Sequence, residues 1–224
     1  PTNTAKKTAP AKATKAPEPA APDPTDCSDN TTLENFAMMG SLGELRVQCV
    51  EERITNSTRQ TERDKLSRIL LYDAEVRKAS EEWADLMKRH LEDIDRSDPD
   101  LCFKYAIYLS RNKQDEGYEI IRWINYSLEN KDKWSAKLYV QRNDALQRLR
   151  TTTAYTMWRQ TMDQLVSEGG VNPQLEEDAE KYRGWTKEYA REWLQYARNA
   201  GRDTDKAMQI CSSAAGTSTY CSEE

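Results

Sequence analysis

The feature that most constrains this chain is a recurrence: two helix–turn–helix stretches superpose when one is shifted by 34 residues along the other. Leu71 falls on Tyr105, Ala74 on Tyr108, Met87 on Ile121 and Ile94 on Leu128. Apolar side chains at three- and four-residue steps share one helix face, because 3.6 residues complete a turn. A helix expected over 62–78 places Leu66, Ile69, Leu70, Ala74 and Val76 on its apolar side. A second, over 82–95, buries Trp83, Leu86, Met87, Leu91 and Ile94. At Asp98-Pro99-Asp100 proline stops one helix and aspartate starts the next. The pattern then resumes with Phe103, Tyr105, Ala106, Tyr108 and Leu109, followed by Ile120, Ile121, Trp123, Ile124 and Leu128. One such pair cannot bury its apolar face alone, so the recurrence implies stacked pairs.

Composition agrees. Hydrophobic residues make up 37% and charged residues 32%, a polar balance that suits an array burying a narrow seam. Only 8 Gly and 2 Phe occur, and helix formers fill the middle of the chain, so an all-α fold is expected. The stretches SRILLYDAEVRKASEEWADLMKRHLEDIDRSDP and DPDLCFKYAIYLSRNKQDEGYEIIRWINYSLENKDKW resemble consecutive repeats of the tetratricopeptide-repeat family, including its helix-terminating proline at Pro99. The resemblance implies an α-solenoid of antiparallel helix pairs, a right-handed superhelix with a concave face lined by the first helix of each pair. Departures exist. Glu75, Met87 and Leu109 replace the small residues expected where helices cross. A third pair, expected over 132–150 and 152–166, carries Arg142 and Arg159 at positions the family keeps apolar or small.

Carried over by the 34-residue register, the groove positions are Ile69, Tyr72, Val76 and Ala79, then Phe103, Ala106, Ser110 and Lys113, then Lys137, Val140, Asp144 and Gln147. The resemblance thus points to Tyr72, Val76, Phe103, Ser110, Lys113, Val140, Asp144 and Gln147 as partner-binding residues. The face changes from apolar to polar along its length, which suits an extended or helical peptide better than a free carboxylate.

The flanks differ in kind. Residues 1–26 hold six of the eight prolines, with alanine, lysine and no large apolar side chain, and are expected to form a linker. Residues 27–60 are expected to form a helical hairpin cap, with 61–168 as the repeats and 169–224 as capping helices and a disulfide-clipped tail. In that last part Tyr182, Trp185, Tyr189, Trp193 and Tyr196 make an aromatic stripe on a long helix, expected to be core.

Five cysteines bear on compartment. Cys27 and Cys49 bracket the first helical segment, Cys211 and Cys221 the last, and Cys102 stands alone in a central apolar stripe. Spacing leaves the connectivity open, but two flanking pairs read as staples, each contributing about 2–3 kcal/mol by restricting the unfolded chain. A periplasmic, secreted or otherwise extracellular setting is expected. Net charge is −5, so no nucleic-acid footprint is expected. No apolar run approaches the roughly 18 residues that span a bilayer, so an anchor would lie upstream of Pro1.

Catalytic patterns are missing: there is no G-x-S-x-G, no phosphate-cradling glycine loop and no H-E-x-x-H. His90, the one histidine, is expected at the surface or half-buried, and Asp64, or Thr61 with Asp64 at the fourth place, is expected to mark a helix start. No cofactor or metal is expected. The expected function is a non-catalytic scaffold for protein partners of an envelope complex. The alternative is a structural subunit of an envelope machine, such as a secretion or gliding-motility complex, that associates with copies of itself.

Overall fold

The computed structural model describes residues 26–222. The expected linker therefore lies outside the described residues apart from Asp26. Among the described residues there are ten helices and no strand. They are α1 (Asn30–Met38), α2 (Glu44–Asn56), α3 (Gln60–Arg77), α4 (Ser80–Asp93), α5 (Pro99–Asn112), α6 (Gly117–Glu129), α7 (Ala136–Ser167), α8 (Pro173–Asn199), α9 (Asp205–Ala215) and α10 (Thr219–Ser222). A single 3-10 turn, Lys131–Lys133, precedes α7. From α2 onward each helix packs on its neighbour in sequence, and α3 also receives α1.

Helix starts follow capping chemistry. Asp29 accepts from the Thr31 and Thr32 amides, and Asp98 from those of Asp100 and Leu101, with Pro99 in the first turn. Ser135 and Asn172 do the same for α7 and α8. These side chains occupy amides that the first turn leaves without carbonyl partners. The α3 start differs from expectation. It begins at Gln60 without a side-chain cap, and Asp64 instead pairs with Arg68 at 3.0 Å. Glu62 lies in that first turn, its carboxylate held by Arg53, Ser57 and Arg59.

Three of the four superposed pairs have matching burial and the fourth does not, Ala74 being buried and Tyr108 half-buried. Leu71, Tyr105, Met87 and Ile121 are all buried, and Ile94 and Leu128 are both half-buried. The helix ends recur slightly wider than 34 residues, from Arg77 to Asn112 and from Asp93 to Glu129.

The expected third pair is corrected. Residues 136–167 form one helix of 32 residues. Its middle, Arg150-Thr151-Thr152-Thr153, contains neither Gly nor Pro. The Thr151 and Thr152 hydroxyls donate back to the Gln147 and Arg148 carbonyls at 2.8 and 2.9 Å, so these β-branched residues are satisfied inside the helix. The partner of α7 is α8, running antiparallel: Asp144 meets Trp193, Ala154 clusters with Tyr189, and Leu165 shares a cavity with Ala179.

One core extends from Cys27 through α1–α6 to Leu146 and includes the fully buried Trp123. A second joins α8 to α9 around Leu194, Ala197, Ile210 and Cys211. Ile121, Ala154 and Tyr189 link the two. The expected aromatic stripe is core over most of its length, since Tyr182, Tyr189 and Trp193 are buried. Tyr118 of α6 reaches it too: its ring meets Trp185 edge-on at 5.4 Å, and its hydroxyl accepts from Tyr182 and Lys181. Disulfides join Cys27 to Cys49 and Cys211 to Cys221.

Two turn positions yield opposite mutational outcomes. Lys78 ends α3 in the left-handed region (φ +58°), which is costly for a residue with a Cβ. Lys78→Gly should raise stability by about 0.5–1 kcal/mol in urea denaturation. Gly40 also has positive φ (+62°), and a Cβ there would lie 3.0 Å from Val76 Cγ1. Gly40→Ala should lower stability by about 1–2 kcal/mol in the same assay.

Candidate functional site

The groove positions separate by helix. On α3, Tyr72 is 46% exposed and Val76 38% exposed. Tyr72 borders a cavity of about 440 Å³ floored by Ala37 and Ile69, with Met38 at its edge. Met38 and Met39 are more than half exposed, so the α1–α3 end presents four large apolar side chains to solvent. On α5, Phe103 is half-buried beneath the Arg142 guanidinium, 5.1 Å from the ring centroid. Ser110 donates to the Ile107 carbonyl at 2.8 Å, and Lys113 lies 3.7 Å from Glu116. On α7, Val140 is 56% exposed.

Two expected groove residues face elsewhere. Gln147 is buried and its Oε1 accepts from Arg150 at 2.7 Å. Asp144 pairs with Arg202 at 3.2 Å and accepts from the Trp193 indole at 3.4 Å. Both turn toward the segment that begins with α8 because α7 is one unbroken helix with α8 laid along it. Ile69 and Ala106 are likewise core. What the sequence reasoning missed is the apolar surface of α1. Met38 and Met39 end that helix, and their adjacency without a following polar face was the available signal.

A second groove, about 250 Å³, lies between the α5–α6 connection and α7. Ser110 and Gln114 border it on one side, Thr152, Thr153, Thr156 and Gln160 on the other. Its apolar floor is Ile120, Leu149 and Met157.

His90 is fully buried between α4 and α3, not at the surface. Its apolar neighbours Met87 and Leu91 flank it on the inward face of α4, which carries it into the core. Nδ1 lies 3.1 Å from Ser67 Oγ, and Nε2 lies 3.5 Å from Asp64 Oδ1. The Ser67 contact ties α4 to α3, while the buried Nε2 makes no hydrogen bond among the described residues. Acyl transfer would also need amide donors aimed at a developing oxyanion, and the mid-helix amides around Ser67 are committed to the helix ladder.

Cys102 does not pair with His90; its Sγ donates to the Arg96 carbonyl at 3.5 Å. Burial, aided by the Asp98 and Asp95 carboxylates, pushes this thiol up to about 12. A thiol held protonated is a poor nucleophile. Among the described residues no group of three or more His, Cys, Asp or Glu could hold a metal ion, and no helix is long and apolar enough to cross a membrane.

Comparison with family models, with curated proteins and with solved structures finds no match.

Burial, followed by the Arg68 charge, holds His90 below the ordinary histidine value of 6.5. The folded state therefore takes up its proton less readily than the unfolded chain. Stability should be complete above pH 6.5 and fall as pH drops below it, because the unfolded state binds the extra proton. His90→Gln should flatten that part of the profile in urea denaturation at stepped pH. An unchanged slope would contradict the assignment.

Proposed function

We propose that this chain is a non-catalytic protein-interaction scaffold that works in an oxidising compartment, periplasmic or secreted. The observation that carries the reading is the exposure of Met38, Met39, Tyr72 and Val76 on α1 and α3 and the turn after α1, with Met38 and Tyr72 bordering one cavity. Exposed apolar clusters of this kind mark interaction sites, and methionine adapts to varied partners. The tetratricopeptide-like pattern over α3–α6 supports the same reading. In a stack of that type the first helices, α3 and α5, would line a shared concave face carrying Tyr72, Val76, Phe103, Ser110 and Lys113. Val140 on α7 would extend it.

Two observations favour binding over catalysis. The buried His90 is occupied in joining α3 to α4, and the one free thiol among the described residues, Cys102, is enclosed and protonated. The two disulfides favour the oxidising compartment, since such bonds persist where thiols are not kept reduced. An envelope complex is the setting this combination suits.

Met38→Glu with Tyr72→Glu should abolish capture of the partner from the native source, read by quantitative mass spectrometry, while leaving helix content unchanged. Hydrogen exchange with the partner bound should protect α1 and α3. Capture at the wild-type level would refute the groove. A concentration-independent oligomer in light scattering would favour self-association instead. For compartment, non-reducing mass mapping of native-source protein should find Cys27–Cys49 and Cys211–Cys221 bridged with Cys102 free. Five free thiols would overturn it.

A further inference from the structure

We infer that the groove between the α5–α6 connection and α7 receives an extended, acidic segment of a protein partner. The inference rests on the scaffold reading above and names the chemistry of one partner segment. Its first support is an imbalance of charge. Helix α7 carries Lys137, Arg142, Arg148, Arg150 and Arg159 against only Asp144 and Asp163, within a chain whose net charge is −5.

Two of those cations flank the groove. Arg148 lies one turn before Thr152, and Arg159 lies one turn after Thr156, so both continue the row of α7 residues that borders the cavity. Both are exposed, and neither makes an ion pair or ring contact among the described residues. The nearest acids on the helix do not neutralise them. Asp144 is held by Arg202 and Trp193, and Asp163 makes no ion pair among the described residues. Arg142 and Arg150, by contrast, are committed to Asp100 and Glu192.

The groove between these cations is rich in donors. Gln114, Thr153, Thr156 and Gln160 have no hydrogen-bond partner among the described residues. Thr152 and Ser110 spend their hydroxyl protons on backbone carbonyls, which leaves their lone pairs outward. Amide and hydroxyl donors fit the carbonyls of an extended backbone. Two guanidiniums, separated by about three helical turns (roughly 16 Å), fit carboxylates spaced along it. A nucleic acid would supply the same negative charge, but no aromatic ring borders this groove on which a base could stack.

The experiment uses the full chain and fluorescence anisotropy with three labelled probes: a glutamate-rich peptide, its glutamine counterpart and a single-stranded oligonucleotide. The acidic peptide should bind, the glutamine peptide should bind at least about tenfold more weakly, and added salt should weaken the acidic complex. Arg148→Glu with Arg159→Glu should lower acidic-peptide affinity by roughly tenfold or more. Both residues are exposed and unpaired, so helix content and the denaturation midpoint should stay near wild type. Val171→Glu, at an exposed residue outside the groove, should leave this binding intact. Equal binding of the acidic and glutamine peptides, an unaffected double reversal, or tighter binding of the oligonucleotide would each overturn the inference. A native partner that protects α1 and α3 but leaves α7 unprotected would overturn it while sparing the scaffold reading.

Discussion

The antiparallel packing of α8 along α7 is the contact on which the rest of the molecule depends. Helix α7 packs on α6 as well, and α8 supplies the surface on which α9 rests. Arg150 sits at the centre of the α7–α8 packing, buried, with its guanidinium donating to Asn125 of α6, Gln147 of α7 and Glu192 of α8, above the Tyr189 ring. A guanidinium in that position is tolerable because acceptors from three helices and an aromatic face replace the water it lost. The same hairpin decides which α7 residues face solvent. Asp144 and Gln147 are drawn inward, while Arg148, Thr156 and Arg159 are left outward.

The N-terminal end is held by shorter-range devices. Asp73, buried on α3, accepts from the Leu42 amide at 3.1 Å and from Arg77 at 2.7 Å, so the turn between α1 and α2 is fixed to α3. Arg53 donates to the Cys27 carbonyl beside the disulfide and bridges to Glu62 at 3.1 Å. Met38, in the last turn of the helix α1 that packs on α3, borders the same cavity as Tyr72.

Much of this was legible along the chain. The apolar steps of α3–α6 gave the helices and most of the large apolar residues they bury, because periodicity reports directly on which side of a helix meets the core. The buried Ser67, Asp73 and Ser127 escaped it, and Val76, expected on the apolar side of α3, is exposed. The four cysteines at the ends stood where the disulfides formed. His90 was misjudged, since Lys88 and Arg89 beside it suggest a surface position, whereas its own place in the helical period is the inward one. The break expected near Thr151 was also misjudged: the run contains neither Gly nor Pro, and the Thr151 and Thr152 hydroxyls bond to carbonyls one turn back inside the helix.

By itself, then, the sequence determined an all-α chain, the places where most helices start and stop, and the residues that must be inside. Those are properties of local spacing and of single caps, which each stretch expresses without reference to the others. Only the tertiary structure decided that α7 runs unbroken, that its partner is α8, and that two expected groove residues are turned away. Such outcomes depend on which of several apolar faces a helix meets. An apolar stripe states that it needs a partner without saying which one.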